Sequence, residues 1–337
     1  MKIQELLTSN NSTLSERIED GTLYLSILIF IFMILFQLAI FPFYVYVNKV
    51  NRQRDSVTII YPILKHFYEM VKRVYLLLFL LICSTCFMIY CFMKSGKNAV
   101  FYSYMSLIPF FIIPVCYVCL QAIVQVFQFL IFLLALKKSC LYFFPATEGC
   151  IASFQRVLLQ KIQFFYIFFL LKEITQCLSF FICIVPSISC YEGMKFRVEF
   201  IRLLSFFSLN ILLFASALLY IPILVSIAKF SHLPSAKLST PEKFIWWQIL
   251  TTLLLKLIGL PCFIIVCNTS MFASICLVTT IDVITTPLII QLSYLGCNRR
   301  NIDVILRSCK FTQFVKVLVK DGTQENQVEP TQTDSFT

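Results

Sequence analysis

Charge is scarce in this chain. Only 13% of its 337 residues are Asp, Glu, Lys or Arg, where soluble domains carry about 25%. Half of the usual solubilising charge is missing, which excludes an ordinary water-soluble domain. Glycine is scarcer still, at 7 residues, so the chain has no G-x-x-x-G helix-packing face. Histidine is limited to His66 and His232, far apart in sequence and both read as solvated residues of loops between apolar runs. No nucleophile elbow, Walker loop or H-E-x-x-H accompanies them, so no catalytic constellation is present and no cofactor is expected.

Apolar residues fill the space. They make up 59% of the chain, with 36 phenylalanines and a mean hydropathy of +0.85. A spanning helix needs roughly 20 mostly apolar residues. Seven stretches reach that length: Leu23 to Val47, Val74 to Met93, Tyr104 to Leu136, Ile162 to Val185, Leu203 to Ala228, Phe244 to Cys267 and Met271 to Leu295. None alternates as a membrane β-strand does, so helices must satisfy the backbone in lipid. The expected fold is an all-α bundle of seven transmembrane helices over residues 23–311. A short external segment, residues 1–22, precedes it, and a polar tail, residues 312–337, follows. Pro109 and Pro114 are expected to kink or shorten the outer end of the long third span.

The distribution of Lys and Arg sets the orientation. Nineteen of the 28 fall on one side: the loops after the first, third and fifth spans, and the tail. Seven fall on the other side, and Lys172 and Lys256 lie inside spans. The basic side is cytoplasmic, which puts the amino terminus outside and the carboxyl terminus inside. The net charge of +11 is then a topological device facing anionic inner-leaflet lipid, and a nucleic-acid partner is not expected. "NNST", Asn10 to Thr13, holds two overlapping glycosylation sequons, at Asn10 and Asn11, on the side assigned as external. A third, at Asn268, lies too close to the membrane. The first apolar run begins too late and is too long for a cleaved signal peptide.

Most of the fifteen cysteines lie in spans, where a thiol acts as a small apolar group. Cys83 with Cys86 and Cys116 with Cys119 form C-x-x-C pairs, but a metal site there would need thiolates in lipid, so no metal is expected. Cys190 is the one clear external cysteine, and the residues from Tyr102 to Ser106 offer it no bridging partner. Cys297 and Cys309 flank the last span on the inner side as palmitoylation candidates. Ile302, Ile305, Leu306 and Cys309 recur at helical spacing, as in a short amphipathic helix lying along the inner membrane surface. The polar tail beyond it reads as disordered.

Ionisable groups inside spans are costly and mark candidate sites. Lys256 in the sixth span and Asp282 in the seventh fall near mid-depth on neighbouring helices, and they are expected to pair. Such pairs serve packing more often than ligand response. Lys172 and Glu173 are adjacent in the fourth span and should point about 100° apart, away from each other. Gln121, Gln125 and Gln128, at i, i+4 and i+7, form a polar stripe on the third span that should face the bundle interior.

Several strings carry a resemblance. "FPFYVYVNKVNRQRD", "YPILKHFYEMVKRVYLL", "LLALKKSCLYFFP", "YIPILVSIAKFSHLPSAKLSTPEKFIWWQ" and "CNRRN" resemble the nematode serpentine chemoreceptors, most closely class Z, along nearly the whole chain. The resemblance implies a seven-helix G-protein-coupled receptor in the plasma membrane at sensory endings of neurons. It further implies an unknown chemical ligand and a heterotrimeric G protein as partners. Ligand contacts would come from the outer halves of spans, where Gln121, Arg202 and Asn210 are candidates. Lys137, Lys138, Lys229, Arg299 and Arg300 would face the G protein. The chain departs from rhodopsin-like receptors where their Asp-Arg-Tyr motif stands: here the residues are Leu136, Lys137, Lys138 and Ser139, with Lys138 as a stand-in cation. "TTPLIIQLSYL" keeps Pro287 but lacks the asparagine before it and a tyrosine three residues after it. Two other classes stay open, a seven-helix ligand-gated channel of the odorant-receptor type and a small transporter. Against a transporter, the spans show no internal repeat and no glycine-broken pair.

Overall fold

The computed structural model describes residues 28, 30–53, 55–56, 61–94, 99–147, 149, 153, 156–158, 160–184, 192–229, 240–267, 271–296 and 301. Among them are seven long helices and no strand. They are α1 (Phe30–Gln53), α2 (Tyr61–Lys94), α3 (Ala99–Phe143), α4 (Ile162–Ile184), α5 (Glu192–Lys229), α6 (Thr240–Cys267) and α7 (Met271–Gly296). A single 3-10 turn, Pro145–Thr147, follows α3. The chain is an all-α membrane bundle. Five of the helices (α1, α2, α3, α5 and α7) are long and apolar enough to cross a bilayer. α4 and α6 have 23 and 28 residues, sufficient for a span, and carry the ionisable residues Lys172, Glu173 and Lys256.

The helices are longer than their apolar runs. α2 starts at Tyr61 instead of Val74 because Ile63, Phe67, Met70 and Val71 already bury a helical face against the bundle. His66 is therefore not in a solvated loop: it sits in α2, its Nε2 sharing a 3.1 Å hydrogen bond with Tyr166 Oη of α4. α3 runs unbroken through Pro109 and Pro114 for 45 residues, roughly 65–70 Å. Each proline removes its own N–H from the ladder and crowds the carbonyl four residues back, and the helix continues through both.

α3 is the centre of the bundle and packs against α2, α4, α5, α6 and α7. Its residues 120 to 128 are buried on every side, as expected for a helix that is apolar all round and enclosed. Around it α4 meets α5, α5 meets α6, and α6 meets α7. Tyr44, Phe67, Phe127, Phe244 and Tyr294 bring α1, α2, α3, α6 and α7 into one core. Phe67 packs edge-on against Phe127, and Tyr294 edge-on against both Tyr44 and Phe244. The outer surface is the reverse of a soluble protein's. Phe79, Phe92, Phe111, Phe168, Ile211 and Ile258 all stand exposed, large apolar side chains on five helices whose natural surroundings are lipid.

Many hydroxyls in the helices are spent locally. Thr85, Ser179, Ser208, Ser216, Thr252, Thr285 and Ser293 each donate to the carbonyl four residues back, which satisfies them without a partner helix. Polar contacts between helices are made mainly by longer side chains.

Candidate functional site

Those side chains converge on α3. Gln125 Nε2 donates to Glu173 Oε1 at 2.7 Å, and Gln125 Oε1 accepts from Lys172 Nζ at 2.8 Å. Lys172 Nζ also lies 2.8 Å from Glu173 Oε1. The sequence reading kept these two apart, and the structure corrects it. The Cβ directions diverge, but the four-carbon lysine stem swings back across the Phe169 ring, 5.8 Å from its ammonium, and Gln125 closes the gap. The result is a three-membered polar ring joining α3 to α4.

One turn further along α3, Gln128 Nε2 lies 3.4 Å from Asp282 Oδ2. The same carboxylate oxygen is 2.9 Å from Lys256 Nζ, and that ammonium sits over the Phe206 ring at 5.5 Å. This second cluster joins α3, α5, α6 and α7. Gln121, one turn before Gln125, donates to Tyr117 Oη at 2.9 Å, which in turn meets Thr280 Oγ1 of α7 at 3.2 Å.

A small cavity of about 30 Å³ lies between the two charged clusters. Arg202 and Ser205 of α5, Gln176 of α4 and Thr279 of α7 complete its wall. Gln176 is 7% exposed, and both its amide atoms are buried without a hydrogen-bond partner. Sequence reasoning missed it by counting only the ionisable residues of the fourth span, although it stands one turn after Glu173 in "KEITQ". Of the three candidate ligand contacts, Gln121 and Arg202 line this cavity. Asn210 does not: it lies further along α5 and donates its amide to the Phe206 carbonyl of its own helix at 2.7 Å.

A larger recess of about 520 Å³ lies between α3 and α4, walled by Phe111, Val115, Ile174 and Leu178. These residues face lipid, and nothing polar beyond Cys119 and Cys177 lines it. It lacks the placed polar groups that orient a ligand.

The whole arrangement resides in one family pattern. A family model described as serpentine type 7TM GPCR chemoreceptor Srz matches residues 27–299. The chain belongs to the Srz family. That is a family of receptors, and its model spans all seven helices. Searches of curated proteins and of solved structures returned no match.

At the opposite end of this Srz bundle from Arg202, a second polar set ties α7 to α1. Tyr294 Oη donates to Asp55 Oδ2 at 3.0 Å, Asn301 Nδ2 donates to the Tyr294 carbonyl at 2.7 Å, and Asn51 Nδ2 donates to Asn301 Oδ1 at 2.9 Å. Tyr75 Oη donates to the Gln37 carbonyl at 2.6 Å and accepts from Gln291 Nε2 at 2.8 Å. Lys137 and Lys138 are half-buried in the last turns of α3, and Lys229 is exposed at the end of α5. Cys83 and Cys86 face outward and Cys116 is buried. Arg299, Arg300, Asn10, Asn11, Asn268, Cys190, Cys297, Cys309, His232 and the expected amphipathic helix lie outside the described residues.

Proposed function

We propose that this Srz protein is a chemosensory G-protein-coupled receptor of the plasma membrane, with its amino terminus outside. A chemical ligand acts on the polar cavity at α3, and the opposite ends of the helices engage a heterotrimeric G protein. The observation that supports this best is the placement of two ion pairs and an unpartnered Gln176 around the central helix. Ionisable groups inside a membrane bundle are expensive and are found where function retains them. At about 30 Å³ the cavity is far below the several hundred Å³ of a drug-sized pocket. The conformation described here is thus closed around its polar core.

The mechanism is a shift between two states. Lys256, Asp282 and Gln128 hold α6, α7 and α3 together at the cavity, while Phe244 and Tyr294 hold α6 to α7 at the other end. A ligand that binds better when the cavity is expanded favours the expanded state by that difference in affinity. Moving α6 separates Phe244 from Tyr294 and bares the basic ends that carry Lys137, Lys138 and Lys229. An odorant and peptide screen on cells expressing the full chain, read by calcium and cAMP, tests the reading. Ligand-evoked responses abolished by blocking G-protein signalling support it; ligand-evoked current that persists under the block would replace it with a channel.

A further inference from the structure

We infer that the cavity beside Gln176 seats the hydroxyl group of a neutral alcohol, with the Gln176 amide as its binding partner. This deepens the receptor reading above by naming a ligand class. The role as a ligand site rests on that reading; the binding itself does not.

Gln176 is 7% exposed, and neither its Nε2 nor its Oε1 has a hydrogen-bond partner among the described residues. A buried donor and a buried acceptor are both costly to leave unmade. An occupant that relieves both must accept one hydrogen bond and donate another. On one edge of a primary amide an N–H and the C=O point the same way, so a single hydroxyl, with one O–H and two lone pairs, can meet both. Its second lone pair is open to an ammonium. Each lysine has three N–H groups; Lys172 directs its own to Gln125 and Glu173, and Lys256 to Asp282, so donor capacity remains on the same wall.

Charged occupants fit less well. The two carboxylates of the wall are each paired, Glu173 with Lys172 and Asp282 with Lys256, and Arg202 is engaged as well. A halide or carboxylate offers Gln176 Oε1 no proton. An ammonium or metal cation offers Nε2 no acceptor and would stand beside two lysines. An ether or ketone accepts only, and leaves Oε1 unmet.

Size selects further. The space of about 30 Å³ equals roughly one water's share of liquid volume, enough for a hydroxyl and too little for a carboxamide. A water fits by the same measure. Val124, Phe206 and Leu209 also line the cavity, however, and an alcohol can cover such apolar wall with its carbon chain where a water cannot. The volume holds only the hydroxyl end. Seating the chain requires the wall to give, and that is the expansion on which the proposed activation draws.

The test is the melting temperature of the purified full chain in lipid nanodiscs, titrated with 1-pentanol against methyl butyl ether, pentanoate and pentylammonium at equal membrane concentrations. The ether keeps the alcohol's carbon and oxygen content and lacks the O–H, so it reports what both do to the lipid. A saturable difference of roughly 1–3 °C in favour of the alcohol is expected. Gln176→Leu deletes the amide and breaks no hydrogen bond between described residues, so the chain should fold and the difference should vanish. Gln176→Asn should retain part of it. Thr175→Val, at an exposed neighbour that donates only to the Lys172 carbonyl, should leave it unchanged. An ether, pentanoate or pentylammonium that performs as well as the alcohol overturns the inference. No response to any of the four means that the cavity takes water alone, and overturns it too. So does an undiminished difference in a folded Gln176→Leu chain. Because melting needs no G protein, a chain that prefers the alcohol but never signals would refute the receptor reading alone. A chain that signals to ligands without a hydroxyl and shows no preference for the alcohol would refute the alcohol site alone.

Discussion

Lys256 Nζ lies 2.9 Å from Asp282 Oδ2, and the two side chains are only 7% and 8% exposed. This contact is the direct tie between α6 and α7 at the level of the cavity, and Gln128 extends it to α3. Two opposite charges so enclosed attract strongly, yet each gave up its hydration to get there. Their net contribution to stability is therefore small, while the cost of separating them is large.

Removing one member alone should be costly for that reason. Lys256→Met or Asp282→Leu leaves a buried charge without its counter-ion and should destabilise the bundle by about 3–5 kcal/mol. Surface expression and melting temperature report it. The exchange Lys256→Asp with Asp282→Lys should recover most of the loss. A double variant no better than the worse single one would show that the two residues do not act as a pair.

The Lys172, Glu173 and Gln125 ring calls for the opposite experiment. Replacing both charges by apolar residues, Lys172→Met with Glu173→Leu, removes the desolvation cost together with the attraction. With Gln125→Leu added, so that its amide is not left buried without the partners it loses, stability should stay close to wild type, while Glu173→Leu alone should cost about 3–5 kcal/mol because Lys172 stays behind. If the variant with all three members replaced is as unstable as the single one, the ring contributes net stability and near cancellation is wrong.

The two clusters also show what could be read from the chain itself. Lys256 and Asp282 stand out because charge is rare within apolar runs, and their helices are consecutive. Gln121, Gln125 and Gln128 stand out by spacing alone, and all three are buried. The Lys172 contact with Glu173 was hidden, since sequence spacing reports where Cβ atoms point and not where a flexible lysine can reach. His66 was hidden because hydropathy marks the part of a helix in lipid, and α2 continues beyond it. Gln176 and Tyr294 were hidden for a different reason: a lone amide or phenol in an apolar run becomes significant only when neighbouring helices enclose it.

Topology can be checked independently of any ligand. With the amino terminus outside, Asn10 and Asn11 meet the glycosylation machinery, and enzymatic deglycosylation should increase gel mobility. Asn10→Gln with Asn11→Gln should produce the faster-migrating form directly. A wild-type chain with no mobility change, carrying an amino-terminal tag protected from external protease, would reverse the orientation and with it the assignment of Lys137, Lys138 and Lys229 to the cytoplasm.

The α1–α7 tie at the far end of the bundle makes a separate prediction about signalling. Tyr294 Oη donates to Asp55 Oδ2 at 3.0 Å, and its ring packs edge-on against Phe244 at 6.2 Å between centroids. Tyr294→Phe keeps the ring and deletes the hydrogen bond, a loss of about 1.5–3 kcal/mol for a bond to a charged acceptor. Tyr294→Ala also removes the α6 contact. If these contacts hold the closed state, basal G-protein activity without ligand should rise modestly in Tyr294→Phe and further in Tyr294→Ala. Basal activity that falls in both variants, with surface expression matched to wild type, would place Tyr294 in the active state instead.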